Sequence, residues 1–267
     1  MSLWYAALLG LVQGLTEFLP VSSTAHLRIV PALLGLPDAG AAYTAVIQLG
    51  TLLAVILYFR DRIGAMIRAL LIERGGPNAR LAIQIILGTI PIGLAGVLGK
   101  PYIVGPLRSL WVVAGAIIGV GLIMGLADRL GKQSRKVADL GMGDAALIGL
   151  AQATALIPGV SRSGSTLSAA LGLGMKREDA AAFSFLLSIP AVAAAGIFEV
   201  KDAVHELGAD ALPALFVGTA VAFFVGYASI AWLLQYLRTR STLVFVVYRV
   251  GLGIVLLGLL SAGVLAP

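Results

Sequence analysis

Between Gln13 and Ile29 the chain reads QGLTEFLPVSSTAHLRI, which sets an acid (Glu17), hydroxyls (Ser22, Ser23, Thr24), an imidazole (His26) and Arg28 in an otherwise apolar stretch. A second cluster lies at 158–166, PGVSRSGST, where Arg162 is flanked by Ser161, Ser163, Ser165 and Thr166. The first cluster offers nucleophiles and a base; the second offers a cation. Hydroxyls at helix starts leave backbone N–H groups and a positive dipole end free to meet an anion. A planar guanidinium adds paired donors that match phosphate oxygens. The implied ligand is a phosphate or diphosphate, carried in so apolar a chain by a lipid.

Each residue type also has a purely structural use. Hydroxyls in membrane helices often bond only the backbone or a neighbouring helix, which applies to Ser22, Thr24, Ser161, Ser163 and Thr166. Arg28 can snorkel to the interface. Arg162, between Gly159 and Gly164, is harder to explain without function, because a charge at bilayer depth costs roughly 2.5–3.5 kcal/mol on insertion scales. Arg249, inside the last apolar run, is either a second phosphate ligand or the partner of Glu17.

Both clusters need a break in the membrane helices that carry them. Pro20 removes a backbone donor and ends the first helix, after which Ser22, Ser23 or Thr24 can start another. Irregular backbone at bilayer depth is tolerated only where protein or water covers it. The spacing therefore predicts a helix-break-helix hairpin around Pro20 and a second one from Asp144 to Gly174. Apolar runs at about 42–59, 80–98, 111–127, 180–198, 212–235 and 242–264 supply six spans of about the 20 residues that a bilayer requires.

The two hairpins are related within the chain. ALLGLVQ at 7–13 matches ALIGLAQ at 146–152, a shift of 139 that also sets Val21-Ser22 on Val160-Ser161, Ser23 on Arg162 and Phe59 on Phe198. A shift of 130 sets Gly88-Thr89 on Gly218-Thr219 and Gly96 on Gly226. The expected organisation is one membrane domain, 1–267, with repeat one at about 1–128 and repeat two at about 143–267. The expected fold is all-α and polytopic: six spanning helices plus two re-entrant helical hairpins in an inverted-topology repeat.

Composition agrees with that architecture. The chain has 267 residues, 59% hydrophobic and 12% charged, with a mean hydropathy of +0.99, too apolar for a soluble domain. Its formal charge of +6 sits in short loops, a topology signal rather than a nucleic-acid patch, so no nucleic acid is expected. With no cysteine there is no disulfide framework or thiolate metal site. The N-terminus has no basic n-region, and no cleaved signal peptide is expected.

Orientation follows from the same charges. Arg60, Arg62, Arg68, Arg74 and Arg80, then Arg129, Lys132, Arg135 and Lys136, then Lys176 and Arg177, then Arg238 and Arg240 mark loops on the cytoplasmic side. The alternate loops, with Lys100 and Arg108 or with Lys201 among Glu199, Asp202, Glu206 and Asp210, face outward. Three spans per repeat then invert the second repeat, so the hairpins enter from opposite sides and meet near the midplane. Both termini, and the mouth of the site, are expected on the periplasmic side.

The motifs Gln13-Gly14-Leu15-Thr16-Glu17, PVSSTAH at 20–26 and PGVSRSGST at 158–166 resemble those of the undecaprenyl-diphosphate phosphatases of the bacitracin-resistance type, integral membrane enzymes of the bacterial inner membrane. The resemblance covers the whole chain. It implies removal of the terminal phosphate of undecaprenyl diphosphate, recycling of the lipid carrier for peptidoglycan synthesis, and help from a divalent cation, Mg²⁺ or Ca²⁺. It maps Glu17, Ser23, His26, Arg162, Ser161 and Thr166 onto active-site positions and Arg249 onto a basic site position in the last helix. Gln13 stands where many members have glutamate, so Glu17 would carry more of any metal binding.

On this reading Ser23 is the preferred nucleophile, with His26 as the alternative attacker. His26 is the expected base for Ser23, Glu17 orients it or holds the cation, and Arg162 clamps the phosphates. The partners are the lipid diphosphate and the surrounding membrane lipid, with a homodimer left open. A secondary transporter or lipid-phosphate flippase is the rival, because inverted repeats with broken helices also build transporters.

Overall fold

The computed structural model describes residues 1–103, 107, 109–207 and 209–265. Arg108 and the side chains of Lys100, Glu199, Lys201, Asp202 and Glu206, expected in outward loops, lie outside the described residues.

The first helix, α1 (Leu3–Phe18), ends where Leu19 turns extended (φ −63°, ψ 139°), as a residue before proline must. The chain reverses through Pro20 and Val21 and returns as α2 (Ser23–Leu33). The Tyr5 hydroxyl donates to the Pro37 carbonyl at 2.5 Å, tying the start of α1 to the chain just beyond α2, so the pair is antiparallel. α7 (Met142–Thr154) and α8 (Arg162–Gly172) form a second such pair. Its open end is closed by Arg135, which donates to Asp144 Oδ2 at 2.5 Å and to the Leu173 carbonyl at 3.0 Å. That hydrogen bond holds the Asp144 carboxyl below its ordinary range.

Around the two pairs stand α5 (Gly76–Ile103), α6 (Leu110–Leu130), α9 (Arg177–Leu207), α10 (Leu212–Thr239) and α11 (Leu243–Ser261). These are the five helices, among the described residues, that are long and apolar enough to cross a membrane. α3 (Gly40–Tyr58) is followed, after a 71° bend, by α4 (Arg60–Arg68) and the π-helical turn Ala69–Glu73, and would make a sixth span if this bent pair is counted as one. The protein is thus an all-α, multi-pass membrane bundle. Two expected loops are helical instead. Residues 60–73 hold apolar Ile63, Met66 and Leu70 against the core at helical spacing, and 199–207 contain neither glycine nor proline to stop α9.

Helices close on one another at glycines, because between membrane helices it is close backbone approach that adds contact. A side chain on Gly10 of α1 would lie 2.3 Å from the Gly218 carbonyl of α10, and one on Gly149 of α7 would lie 2.4 Å from the Gly88 carbonyl of α5. Gly10 and Gly149 are 139 apart and Gly88 and Gly218 are 130 apart, the same shifts that relate the two halves of the sequence. Each helical pair is therefore anchored on a span from the other half.

The basic loops gather at one end. There Asp128 accepts from Arg177 Nε at 2.6 Å and from the Thr242 N–H and hydroxyl at 3.0 and 3.1 Å, and Arg238 pairs with Glu178. The opposite end packs Tyr5, Tyr43, Ala214 and Leu215, the starts of α1, α3 and α10. Leu110, at the start of α6, packs with Leu260, at the end of α11. Both chain ends thus lie away from the basic loops.

Candidate active site

The tips of the two helical pairs meet inside the bundle. Each returning helix starts after a serine with positive φ, Ser22 (φ 79°, ψ 95°) and Ser161 (φ 72°, ψ 119°), which are 139 residues apart. Such backbone costs of order 1–3 kcal/mol per residue and survives only where its surroundings over-determine it. Ser161 Oγ accepts from the Gly164 N–H at 3.1 Å as a true cap. Ser163 Oγ crosses between the tips to the Leu19 carbonyl at 3.1 Å.

Arg249 fastens both tips to α6. It is fully buried, and its guanidinium donates to the carbonyls of Pro20 (3.0 Å), Gly159 (3.0 Å), Val160 (3.1 Å), Ile117 (3.0 Å) and Ala116 (3.3 Å). Of the two roles left open for it, partnership with Glu17 is not what the structure shows, since Arg162 takes that place. Nor does Arg249 line the cavity as an expected phosphate ligand would. Three main-chain carbonyls freed by the turns, with two of α6, absorb its donors, and each turn carbonyl left unpaired would cost about 1–3 kcal/mol.

Between the tips lies a cavity of about 160 Å³ whose walls include Glu17, Ser22, Ser23, Thr24, Ser161 and Arg162. α3 contributes Gln48, α5 Ile92, and α9 Ala191, Val192 and Ala195. Such a space admits phosphate groups and leaves a long prenyl chain outside. Among the described residues Glu17 is its only carboxylate. Its Oε2 accepts from Ser23 Oγ at 2.6 Å and Gln13 Nε2 at 2.9 Å; its Oε1 accepts from Gln48 Nε2 at 3.1 Å and from Arg162 Nη2. Arg162 also reaches the Ser188 carbonyl at 3.3 Å. Removing one partner from so buried a pair typically costs about 3–5 kcal/mol.

The expected Ser23–His26 pair does not form. His26 Nδ1 lies 2.7 Å from the Ser22 carbonyl, to which it can only donate, and Nε2 lies 2.6 Å from the Tyr248 hydroxyl. The imidazole is thus occupied on both sides and braces the strained tip, while the carboxylate takes the base position beside Ser23. Thr166 is likewise a brace: its hydroxyl bonds the Arg162 carbonyl at 2.7 Å and Ser184 Oγ at 2.5 Å. Neither Thr166, Ser163 nor His26 is part of the cavity wall.

Gln48 and Tyr248 were not singled out from the sequence. A lone amide inside the apolar run AVIQLGTLLAV is a signal that could have found Gln48. Tyr248, 46% exposed on α11, carries no such mark.

A divalent cation on Glu17 would have to displace a donor that is in place here. A carboxylate has about four lone-pair directions, and here four donors meet them. Mg²⁺ and Ca²⁺ take six or more oxygen ligands, and among the described residues no group of acidic or histidine side chains is placed to share an ion.

Comparison with known proteins gives one consistent result. The family described as Bacitracin resistance protein BacA matches residues 6–255. An undecaprenyl-diphosphatase of Myxococcus xanthus (strain DK1622) is 55% identical over 276 residues, covering 100% of this chain and 92% of that protein. Undecaprenyl-diphosphatases of Nocardioides sp. (strain ATCC BAA-499 / JS614) and Synechococcus sp. (strain JA-3-3Ab) are 51% and 50% identical, covering 98% and 99% of the chain and 97% and 96% of those proteins.

Proposed function

The chain belongs to the bacitracin resistance protein BacA family, and from that premise we infer that it is an undecaprenyl-diphosphatase. It hydrolyses the terminal phosphate of undecaprenyl diphosphate to undecaprenyl phosphate and inorganic phosphate, recycling the lipid carrier for cell-wall synthesis in the inner membrane. The observation that carries the chemistry is the 2.6 Å hydrogen bond from Ser23 Oγ to Glu17, beside Arg162.

Ser23 attacks the terminal phosphorus as its proton passes to Glu17, and the bond to the bridging oxygen breaks, so undecaprenyl phosphate departs with that electron pair and takes the proton. Water then attacks the phosphoserine and gives its proton to Glu17, which returns it to Ser23 as inorganic phosphate leaves. Arg162 holds the charge that collects on the phosphoryl oxygens. Before substrate arrives, this guanidinium pairs with Glu17. A diphosphate competing for Arg162 frees that carboxylate oxygen. Ser22, Thr24 and Ser161, which line the same space, orient the remaining phosphate oxygens. No step is routed through a metal on Glu17.

The finer architecture is part of this proposal. Six spans and two re-entrant hairpins form an inverted repeat, supported by the paired positive-φ serines and the paired glycine crossings. The basic end is cytoplasmic by the positive-inside rule, so the termini and the mouth are periplasmic. Depth agrees: Ala195, in the cavity wall, is eighteen residues along α9 from Arg177, or about 27 Å at 1.5 Å per residue.

Release of phosphate from undecaprenyl diphosphate by purified protein, with no gradient present, tests the activity. Arg162→Lys keeps a charge but not the paired donors, and should lose at least about tenfold in kcat while eluting as folded protein. Near-wild-type turnover would remove Arg162 from the clamp.

A further inference from the structure

A second cavity, of about 390 Å³, opens at the basic end, with Arg62, Pro77, Asn78, Arg80, Gln84 and Val137 in its walls. It is separate from the catalytic space: along α5, Arg80 and Ile92 are twelve residues apart, about 18 Å. Two guanidiniums face it and no carboxylate is in its wall. Arg80 Nη2 and Gln84 Nε2 both donate to the Leu140 carbonyl, at 2.9 and 2.6 Å, which fixes the Arg80 head at the rim. Its other donors make no hydrogen bond among the described residues. Arg62 is attracted by Asp179 but makes no hydrogen bond among them either, and Asp179 spends an oxygen on the Val137 N–H at 3.0 Å.

The surroundings say where the anion comes from. The cavity lies at the first residues of the α5 span, hence at the membrane surface. Its other flank is Arg62 of α4, which with the π-helical turn that follows it is bent by 71° from α3. That segment exposes Ile67 (52%), Leu71 (71%) and Ile72 (76%) next to Arg68 and Arg74, the composition of a helix lying in the headgroup layer. Apolar side chains that enter the acyl boundary beside a two-arginine cavity bring lipid headgroups to its mouth.

We propose that this cavity is a binding site for the phosphate of an anionic phospholipid headgroup, held between Arg62 and Arg80 and distinct from the catalytic site.

The test uses the full-length protein, delipidated in mild detergent and titrated with phosphatidylglycerol or phosphatidylcholine, with adducts read by native mass spectrometry. Phosphatidylglycerol should bind and phosphatidylcholine should not. Arg62→Gln with Arg80→Gln should weaken phosphatidylglycerol binding at least tenfold. The equally charged control Arg129→Gln with Arg240→Gln, both exposed, should bind like the parent. If the double variant does not elute as folded protein, Arg62→Gln alone carries the test, with at least a threefold loss expected. Equal loss in the control, unchanged binding in the cavity variant, or equal binding of both lipids would overturn the proposal. So would inorganic phosphate displacing phosphatidylglycerol over the concentration range in which the lipid itself binds, since the site would then serve free phosphate.

Discussion

Ser23 and Glu17 are six residues apart, on opposite sides of a turn, and meet because Pro20 ends one helix and Ser22 starts the next. If they work as one nucleophile–base unit, Ser23→Ala and Glu17→Gln should each cost about 10³-fold or more in kcat, and the double variant should be scarcely worse than the worse single one. Multiplicative losses in phosphate-release assays would show two independent roles. The sequence disclosed the residue types but paired Ser23 with His26, because a spacing of three puts two side chains on one helical face. Ser23 is the first residue of its helix, however, and reaches back across the turn, where periodicity carries no information. Arg249 was misread for a related reason. Its position in an apolar run marks a buried charge that needs partners, and nothing in a sequence shows that those partners are backbone carbonyls of two distant turns and of α6.

At the level of elements, Ser22 and Ser161 are the points where backbone strain is stored. Only Ser161 recovers some of it through a side-chain cap. Ser22→Gly can adopt φ 79° freely, and should raise the thermal midpoint by a few degrees, the equivalent of about 1 kcal/mol, against a parent value followed by intrinsic tryptophan fluorescence. Ser22→Ala, which keeps the strain, should not. A glycine variant that melts at or below the alanine variant would mean that Ser22 is not strained. Hydrophobic run length and the two Ser-rich breaks made the helices legible, and Pro20 fixed where α1 stops. The 71° bend after Tyr58 was less legible, since the amphipathic stretch 60–73 was counted as a loop on its arginines alone.

At the scale of the whole molecule, charge and geometry divide the protein into two ends. The arginine-rich loops, interlocked through Asp128, Glu178 and Asp144, form one end, and the chain termini lie at the other. The 139- and 130-residue shifts visible in the sequence reappear in the glycine crossings, where α1 meets α10 at Gly10 and Gly218 and α7 meets α5 at Gly149 and Gly88. The proposed sidedness follows from counting basic residues, a rule that holds better for a set of loops than for any one of them. Cysteine labelling in this cysteine-free chain decides it, provided the probes stand in solvent. Asp38, between α2 and α3, and Arg240, after α10, do so at opposite ends. A membrane-impermeant thiol reagent added to intact spheroplasts should label Asp38→Cys at once and Arg240→Cys only after the membrane is opened. The reverse order would place the arginine end outside. It would also turn the catalytic mouth toward the cytoplasm, because the cavity wall at Gln48 is only about 12 Å, eight residues of helix, from the start of α3 at the Asp38 end.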